Sequence, residues 1–575
     1  MDDMNDKWNT LTHNGPIFPP EYVAQGYKVY VAGKAVALSP EAEEMAYAWA
    51  QKHTTDYIKD KVFQKNFWRD FSAVLPVELK KTKFPEDWDF KEIICSIEHK
   101  KELKTLITKA EKEADKKAKD AIKAKYGFAL LNGEVVPLGN YMVEPPGLFM
   151  GRGDHPLRGS WKCRVFPEDI TINHSANVPA PLPPTGHKWK EVVENKKALY
   201  IAIWIQKLTG EYKKILFSGD SIVKQSSDQK KFDKAIKLAK NLDSVNTEID
   251  KLLDSKMIQT RKLATVAKLI AQLAIRVGDE KGEDEADTVG ASSLRVEHIK
   301  INEKEETVEF DFLGKDSVRY NNVVKFSSSM VRNLKWLSEG KKPSDQLFPG
   351  TTSADVNEFF GNIIEGITAK VFRTAYGSRL LAEELAKEDV STMTPAQKLK
   401  YFTDANLAVA KKLNHQSAIS PAYKESVSKM KEQLKELKAE LKEVKENSKS
   451  EIEEAKKIRD DLITKAKDKY TGEKQKETIR RAKSSFDNKV EAVEKKIARV
   501  QTRIDNLESK LEIKQKTAGI ALGTSKTNYS DPRIAYSYCK ANNLEVKRIF
   551  TPTLQRKFVW AENVDENFYK KYPEV

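Results

Sequence analysis

Between residues 423 and 515 the sequence carries a pattern that few folds can satisfy. Val427, Met430, Leu434, Leu437, Leu441 and Val444 recur three and four apart, as do Phe486, Val490, Val493, Ile497, Val500, Ile504, Leu507 and Leu511. Apolar residues at that spacing form a seam along one side of a helix, which stays buried only if a second helix winds against it. Tyr470-Thr-Gly472-Glu separates the two runs, so the pattern predicts an antiparallel coiled-coil hairpin with lysine and glutamate on its outer faces, a charged spacer. The hairpin splits the chain into a long region before it and a short aromatic one after it.

At 575 residues the chain has room for three or four units, each with its own core. Its 100 Lys+Arg against 85 Asp+Glu give a net charge of +15, which favours a polyanionic partner: DNA, RNA or an anionic membrane surface. No apolar run reaches bilayer-spanning length, and the N-terminus has no charged-then-apolar targeting pattern, which predicts a soluble, intracellular protein with no membrane-spanning segment. Cys95, Cys163 and Cys539 are far apart and lack metal-ligand spacing, so they are expected to be reduced and mostly packed inside. Phosphate-loop, dinucleotide, zinc-protease and serine-hydrolase motifs are missing. The acidic stretch from Asp279 to Asp287 lacks the ligand order of a calcium loop and reads as a solvated connection. No cofactor or metal is expected.

Along the chain, residues 1 to about 150 alternate Pro/Gly-punctuated aromatic segments with a strand pattern at Tyr27 to Ala32, then turn helical from about Glu86 to Lys125 with no continuous apolar stripe. Glu144 to Pro156 is too dense in Gly and Pro for helix or strand, and lets backbone and Arg152 approach a ligand. A boundary near Ser221 opens a helical region. Within it Leu263, Val266, Ile270, Leu273 and Val277 mark a helix that Gly278 ends, with Arg276 in its last turn. Thr307 to Phe312 and Ser317 to Tyr320 read as a β-hairpin whose turn, Leu313-Gly-Lys-Asp316, places Gly where positive φ is needed and carries Lys315 at its tip. Helices follow around Val356 to Ile364 and from about Ala396 to Leu413.

Tyr529 lies in the polar, turn-forming stretch Gly523 to Arg533, between the coiled coil and the aromatic tail, so it is expected to be displayed rather than packed. A phenol with a free pKa of about 10 attacks phosphorus well only when cations stabilise its phenolate and the charge gathering on the phosphoryl group. Taken singly, Tyr529, Arg276, Lys315, Arg373 and His415 are ordinary side chains. The motifs around them, in order, are Glu144-Pro-Pro-Gly-Leu-Phe with Gly151-Arg-Gly, Pro184 to Glu191, Asp287-Thr-Val-Gly with Ser293 to Ile299, Phe310 to Ser317, Thr368 to Thr374, Asn414-His-Gln416 and Ser525-Lys-Thr-Asn-Tyr529.

From about Trp8 to the C-terminus this set resembles the eukaryotic-type (nuclear) type IB DNA topoisomerases. The resemblance implies an α+β multidomain DNA clamp: a mixed N-terminal cap (1–221, core subdomains I and II), a mainly helical catalytic core (222–420, core subdomain III, of the tyrosine recombinase/type IB topoisomerase class), the coiled-coil linker (421–516) and a small helical C-terminal domain (517–575). It implies ATP- and metal-independent relaxation of positive and negative supercoils of double-stranded DNA by a monomer, with no membrane partner. Tyr529 forms a 3′-phosphotyrosyl link, Arg276 and Arg373 neutralise the non-bridging oxygens, His415 adds a hydrogen bond, and Lys315 protonates the leaving 5′ oxygen. Arg152, Asp316 and Asn528 match positions that contact DNA-stacked camptothecin.

Two departures stand out: Ser530 where the family has an aliphatic residue, and Met150 where it often has arginine. The family's long charged N-terminal tail has no counterpart, so the resemblance implies either a nuclear location or, for a large DNA virus, the virion or host cytoplasm. Two alternatives stay open: a tyrosine site-specific recombinase, which places His-x-x-Arg where this chain has Lys370-Val-Phe-Arg373, and a non-enzymatic architectural DNA-binding protein.

Overall fold

The computed structural model describes residues 6–279 and 286–575, so the interior of the acidic stretch after Asp279 lies outside the described residues. The protein is multidomain, and the sheets of its described residues lie before Ser327. Its backbone divides into two units: one runs to Phe372 and takes in Pro552–Trp560, the other comprises Arg373–Thr551 and Ala561–Val575. Among the described residues no helix is long and apolar enough to cross a membrane.

In the first unit the aromatic-rich opening builds two cores. One gathers Trp49, Phe63, Phe67, Phe71 and Trp88 with Val29 and Met45, and Trp49 stacks on Phe67 with ring centroids 4.6 Å apart. The other takes Trp8, Leu11, Ile170, Ile172, Ile201, Trp204 and Ile215 from a three-stranded sheet (Leu11–His13, Phe128–Leu131, Glu134–Pro137) and a four-stranded one ordered Glu191–Val193, Thr171–Asn173, Tyr200–Ile205, Tyr212–Leu216. Burying each such side chain is worth roughly 1.5–3 kcal/mol, so both clusters are stabilising cores in their own right.

The helical stretch after Glu86 forms two helices, Lys91–Leu106 and Lys109–Tyr126. They separate at Thr108, whose hydroxyl accepts from the Glu111 N–H (3.3 Å) while its own N–H donates to the Glu111 carboxylate (2.8 Å). No residue of the second helix is buried, as its missing apolar stripe predicts. The Gly/Pro-dense segment does hold a strand: Gly147–Leu148 pairs with Trp161–Lys162, and Leu148 is buried in the first core.

Ser221 caps the helix Ile222–Lys240, its hydroxyl accepting from the Lys224 N–H. Further on, Ile258–Leu273 buries residues on nearly all its sides, among them Ala264, Val266, Ala267, Leu269, Ile270 and Leu273. It stops four residues earlier than Val277 because Ala274 adopts a left-handed conformation, φ +53°. The segment Pro552–Trp560 packs on Ile222–Lys240: Arg556 and Lys557 each pair at 3.2 Å with Asp220 and Asp228 respectively. Cys95 and Cys163 are exposed, against expectation; Cys539 alone packs inside, and burial pushes its thiol up to about 12.

In the second unit Pro421–Lys469 and Glu473–Lys516 lie antiparallel. Lys438 reaches Glu508 (2.7 Å) and Glu440 reaches Arg503 (2.8 Å). Exposed pairs of this kind add little, so the seam, with Val493, Val500, Ile504 and Leu511 buried, holds the helices together. Gly472, at φ +67°, makes the turn. At the base of this hairpin the Ser417 N–H donates to Gly519 C=O and the Ala521 N–H to His415 C=O, both at 2.9 Å.

Candidate active site

Three of the sequence-predicted site residues meet in the second unit, each delivered by a different element. Arg373 stands on the helix Ala369–Ala386. His415 follows the helix Pro395–Lys412: Asn414 turns the chain at φ +55° and lets the His415 N–H reach Ala410 C=O (2.8 Å). Tyr529 ends the short helix Leu522–Asn528. That helix is pinned by buried Asn406, which accepts from the Ser525 hydroxyl (2.9 Å) and donates to Leu522 C=O (3.2 Å). Ser525 C=O in turn accepts the N–H groups of Tyr529 and Ser530, both at 2.9 Å.

The stretch expected to be a displayed turn is therefore helix up to Asn528, and Tyr529 is packed, with only 9% of its surface exposed. The reason is the pair of groups against its ring. The Arg373 guanidinium carbon lies 4.9 Å from the Tyr529 ring centroid, and the His415 ring lies 5.1 Å away, tilted by 30°. Arg373 and His415 are themselves buried, 4% and 5% exposed. Arg373 Nη2 donates to Leu413 C=O at 2.9 Å and stands 3.5 Å from His415 Nε2, at the outer edge of hydrogen-bond distance. A cation held over a partly desolvated aromatic ring is favourable by about 0.5–2 kcal/mol, and the same cation favours a developing phenolate or phosphoryl charge.

Sequence reasoning missed Gly377 and Ser378. A side-chain carbon at Gly377 would lie 2.7 Å from the Tyr529 carbonyl oxygen. Buried Ser378 donates to that same oxygen and accepts from the Asp531 N–H. The available signal was a glycine inside a helix, which costs about 1 kcal/mol relative to alanine and usually has a packing cause.

Asn528, the last residue of its helix, is exposed. The remaining predicted residues belong to the first unit. Arg276 lies beyond the helix that was to carry it, with its side chain exposed and its C=O accepting the Ala291 N–H at 2.8 Å. Lys315 is exposed at the tip of the hairpin Thr307–Gly314/Val318–Lys325. The positive φ of that turn falls on Asp316 (+67°) and Ser317 (+58°), not on Gly314, which is at −91°. Asp316 forms an ion pair with Arg152, so these two come together beside Lys315 in sequence. Among the ends of the acidic stretch, Asp279 accepts the Ser353 N–H (2.7 Å) and Asp287 takes both arms of Arg295 at 2.9 Å.

Comparison with known proteins agrees along nearly the whole chain. Residues 6–217 match the family model of the eukaryotic DNA topoisomerase I DNA-binding fragment, 220–448 that of its catalytic core, and 501–570 that of the C-terminal topoisomerase domain. DNA topoisomerase 1 of Homo sapiens is 34% identical over 577 residues, covering 98% of this chain and 72% of the human protein. The Caenorhabditis elegans protein of that name is 36% identical, covering 98% and 68%. The chain spans only 55% of the Drosophila melanogaster relative and 57% of the Candidozyma auris one. The chain belongs to the eukaryotic DNA topoisomerase I family, of the type IB class.

Proposed function

We propose that this protein relaxes positively and negatively supercoiled double-stranded DNA, using neither ATP nor a metal ion, through a transient covalent link between Tyr529 and one strand. The Tyr529 phenol gives up its proton to solvent, its oxygen attacks a backbone phosphorus, the bond to the 5′ oxygen breaks, and a 3′-phosphotyrosyl link and a free 5′-hydroxyl result. The freed strand rotates, and the 5′-hydroxyl then attacks to restore the backbone. One phosphoester replaces another in each step, so no external energy source is required. Arg276 and Arg373 hold the non-bridging oxygens, His415 adds a hydrogen bond, and Lys315 supplies the proton taken up by the leaving 5′ oxygen.

The observation that carries this reading is the placement of a buried guanidinium and an imidazole against the ring of one tyrosine. The net charge of +15 supports a DNA partner. To the same reading belong the four-part division at residues 221, 420 and 516, a clamp around DNA, the linker role of the helical hairpin, action as a monomer and in the nucleus, and camptothecin binding by Arg152, Asp316 and Asn528.

The test is relaxation of plasmids of either supercoil sign in EDTA without ATP. Relaxation of both is expected. Activity that requires a metal or ATP, or strand exchange at a specific site without relaxation, would contradict the proposal.

A further inference from the structure

The helix Ala369–Ala386 reaches residue 529 twice. Arg373 lies over the ring, and four residues on, along the same helix face, Gly377 meets the backbone. A side-chain carbon at Gly377 would stand 2.7 Å from the Tyr529 carbonyl oxygen and 3.2 Å from its Cβ, so two main chains are in direct contact here.

Ser378, next in sequence, is completely buried. Its hydroxyl donates to the Tyr529 carbonyl (3.2 Å) and accepts from the Asp531 N–H (2.9 Å). One hydroxyl thus spans the residues on either side of Ser530, at the corner where Leu522–Asn528 ends and Pro532–Ala541 begins. Asp531 is held in its own right, its carboxylate accepting the Arg533 N–H (2.9 Å) and pairing with the Arg533 guanidinium (2.8 Å). The buried Tyr572 side chain borders Ser378, Asp531 and Arg533. The Ser378 hydroxyl therefore ties both sides of the corner to the arginine-bearing helix, in addition to the contacts of Arg373 and Gly377 with Tyr529.

We propose that Ser378 is a positioning residue for DNA cleavage, whose bridge from Tyr529 to Asp531 aims the phenol along Arg373 and His415. This rests on Tyr529 being the nucleophile. The phenolic oxygen sits at the far end of the ring, so a small rotation of the backbone at residue 529 is magnified there. A displacement of about 1 Å from reactive geometry costs on the order of 10²-fold in rate.

Single-turnover formation of covalent adduct on a duplex that cannot be religated, with duplex affinity measured separately, tests the inference on the full chain. Ser378→Ala is expected to slow adduct formation by roughly 10- to 100-fold while changing the Kd for duplex by less than about twofold, since phosphate contacts dominate binding. Ser378→Cys fills the same space with a weak donor and acceptor and is expected to behave like Ser378→Ala. Ser378→Thr keeps a hydroxyl and is expected to recover most of the rate. This order separates hydrogen bonding from packing, and the Cys and Thr variants decide the matter if the alanine variant does not fold. Wild-type rates in Ser378→Cys or Ser378→Ala, or a loss of rate matched by an equal loss of affinity, would overturn the inference. Tyr529→Phe is run alongside. An adduct in that variant would remove the reading beneath the inference, whereas no adduct there together with full-rate Ser378→Ala would remove the inference alone.

Discussion

Arg373 is bound to Leu413 C=O at 2.9 Å while its guanidinium lies over the Tyr529 ring at 4.9 Å. The first contact fixes the plane of the guanidinium. The second puts that plane against the nucleophile candidate, so the orientation of the fork is set by buried structure before DNA arrives. Lysine has no such fork: its three donors share one nitrogen on a flexible stem, so it cannot hold Leu413 C=O and a phosphate together in the fixed planar geometry of the guanidinium.

Arg373→Lys should therefore slow cleavage of ordinary DNA by about 10²- to 10³-fold, the usual effect of losing one oxyanion donor. Lys315→Ala should slow it by roughly 10²- to 10⁴-fold, as for lost general-acid catalysis. A 5′-bridging phosphorothiolate distinguishes them, because a thiol with a pKa of about 8.5 leaves without help. On that substrate the Lys315→Ala defect should largely vanish and the Arg373→Lys defect remain. Equal defects of Lys315→Ala on both substrates would show that Lys315 only positions DNA.

The helical hairpin is expected to be dispensable for chemistry. The bonds at its base, Ser417 N–H to Gly519 C=O and Ala521 N–H to His415 C=O, join the strands that enter and leave it. Replacing residues 423–514 by a short flexible linker should keep cleavage of a short duplex within about threefold while changing plasmid relaxation more, because the charged outer helices act on a long duplex through screened electrostatics. Single-turnover cleavage falling as steeply as relaxation would make the hairpin a support for Tyr529.

A third expectation concerns acid. His13 has Nε2 bonded to Asn173 C=O at 3.0 Å, and its Nδ1 accepts the Gly15 N–H at 3.0 Å, so both nitrogens of the neutral ring are used. Burial, helped by the neighbouring His174 and opposed by the Asn173 bond, lowers its pKa to about 4 from 6.5. The unfolded chain therefore binds a proton that the folded one refuses between those values. Stability should fall as pH drops from about 6.5 to about 4 and level off below, by roughly 3 kcal/mol from this group. Urea unfolding followed at the tryptophans across that range should show a smaller slope in His13→Gln. An unchanged slope would remove His13 as the cause.

Much of this was legible in the sequence. The heptads pointed to the paired helices, the boundary near Ser221 to the start of a helix, and the alternation around Lys315 to its hairpin, because each is a local pattern with a local physical cause. What stayed hidden depends on contacts between distant segments. Tyr529 sits in a polar stretch, yet it is buried because Arg373 and His415, more than a hundred residues earlier, cover its ring. Ala274 adopts positive φ although nothing in an apolar helix marks where it will stop. Gly314 looked like the residue for the turn, but the register of the strands puts the strained positions on Asp316 and Ser317. The serine that bridges Tyr529 and Asp531 has no pattern at all around it, only the glycine before it.

Every step of the proposed reaction depends on Tyr529 being the residue that becomes joined to DNA. Adduct trapped with denaturant on a labelled duplex, digested and mapped by mass spectrometry, tests it directly. The nucleotide is expected on the peptide containing Tyr529, attached through a 3′ phosphate, with a free 5′-hydroxyl on the other strand end and no adduct from Tyr529→Phe. Nucleotide on another residue, or attachment through a 5′ phosphate, would contradict it.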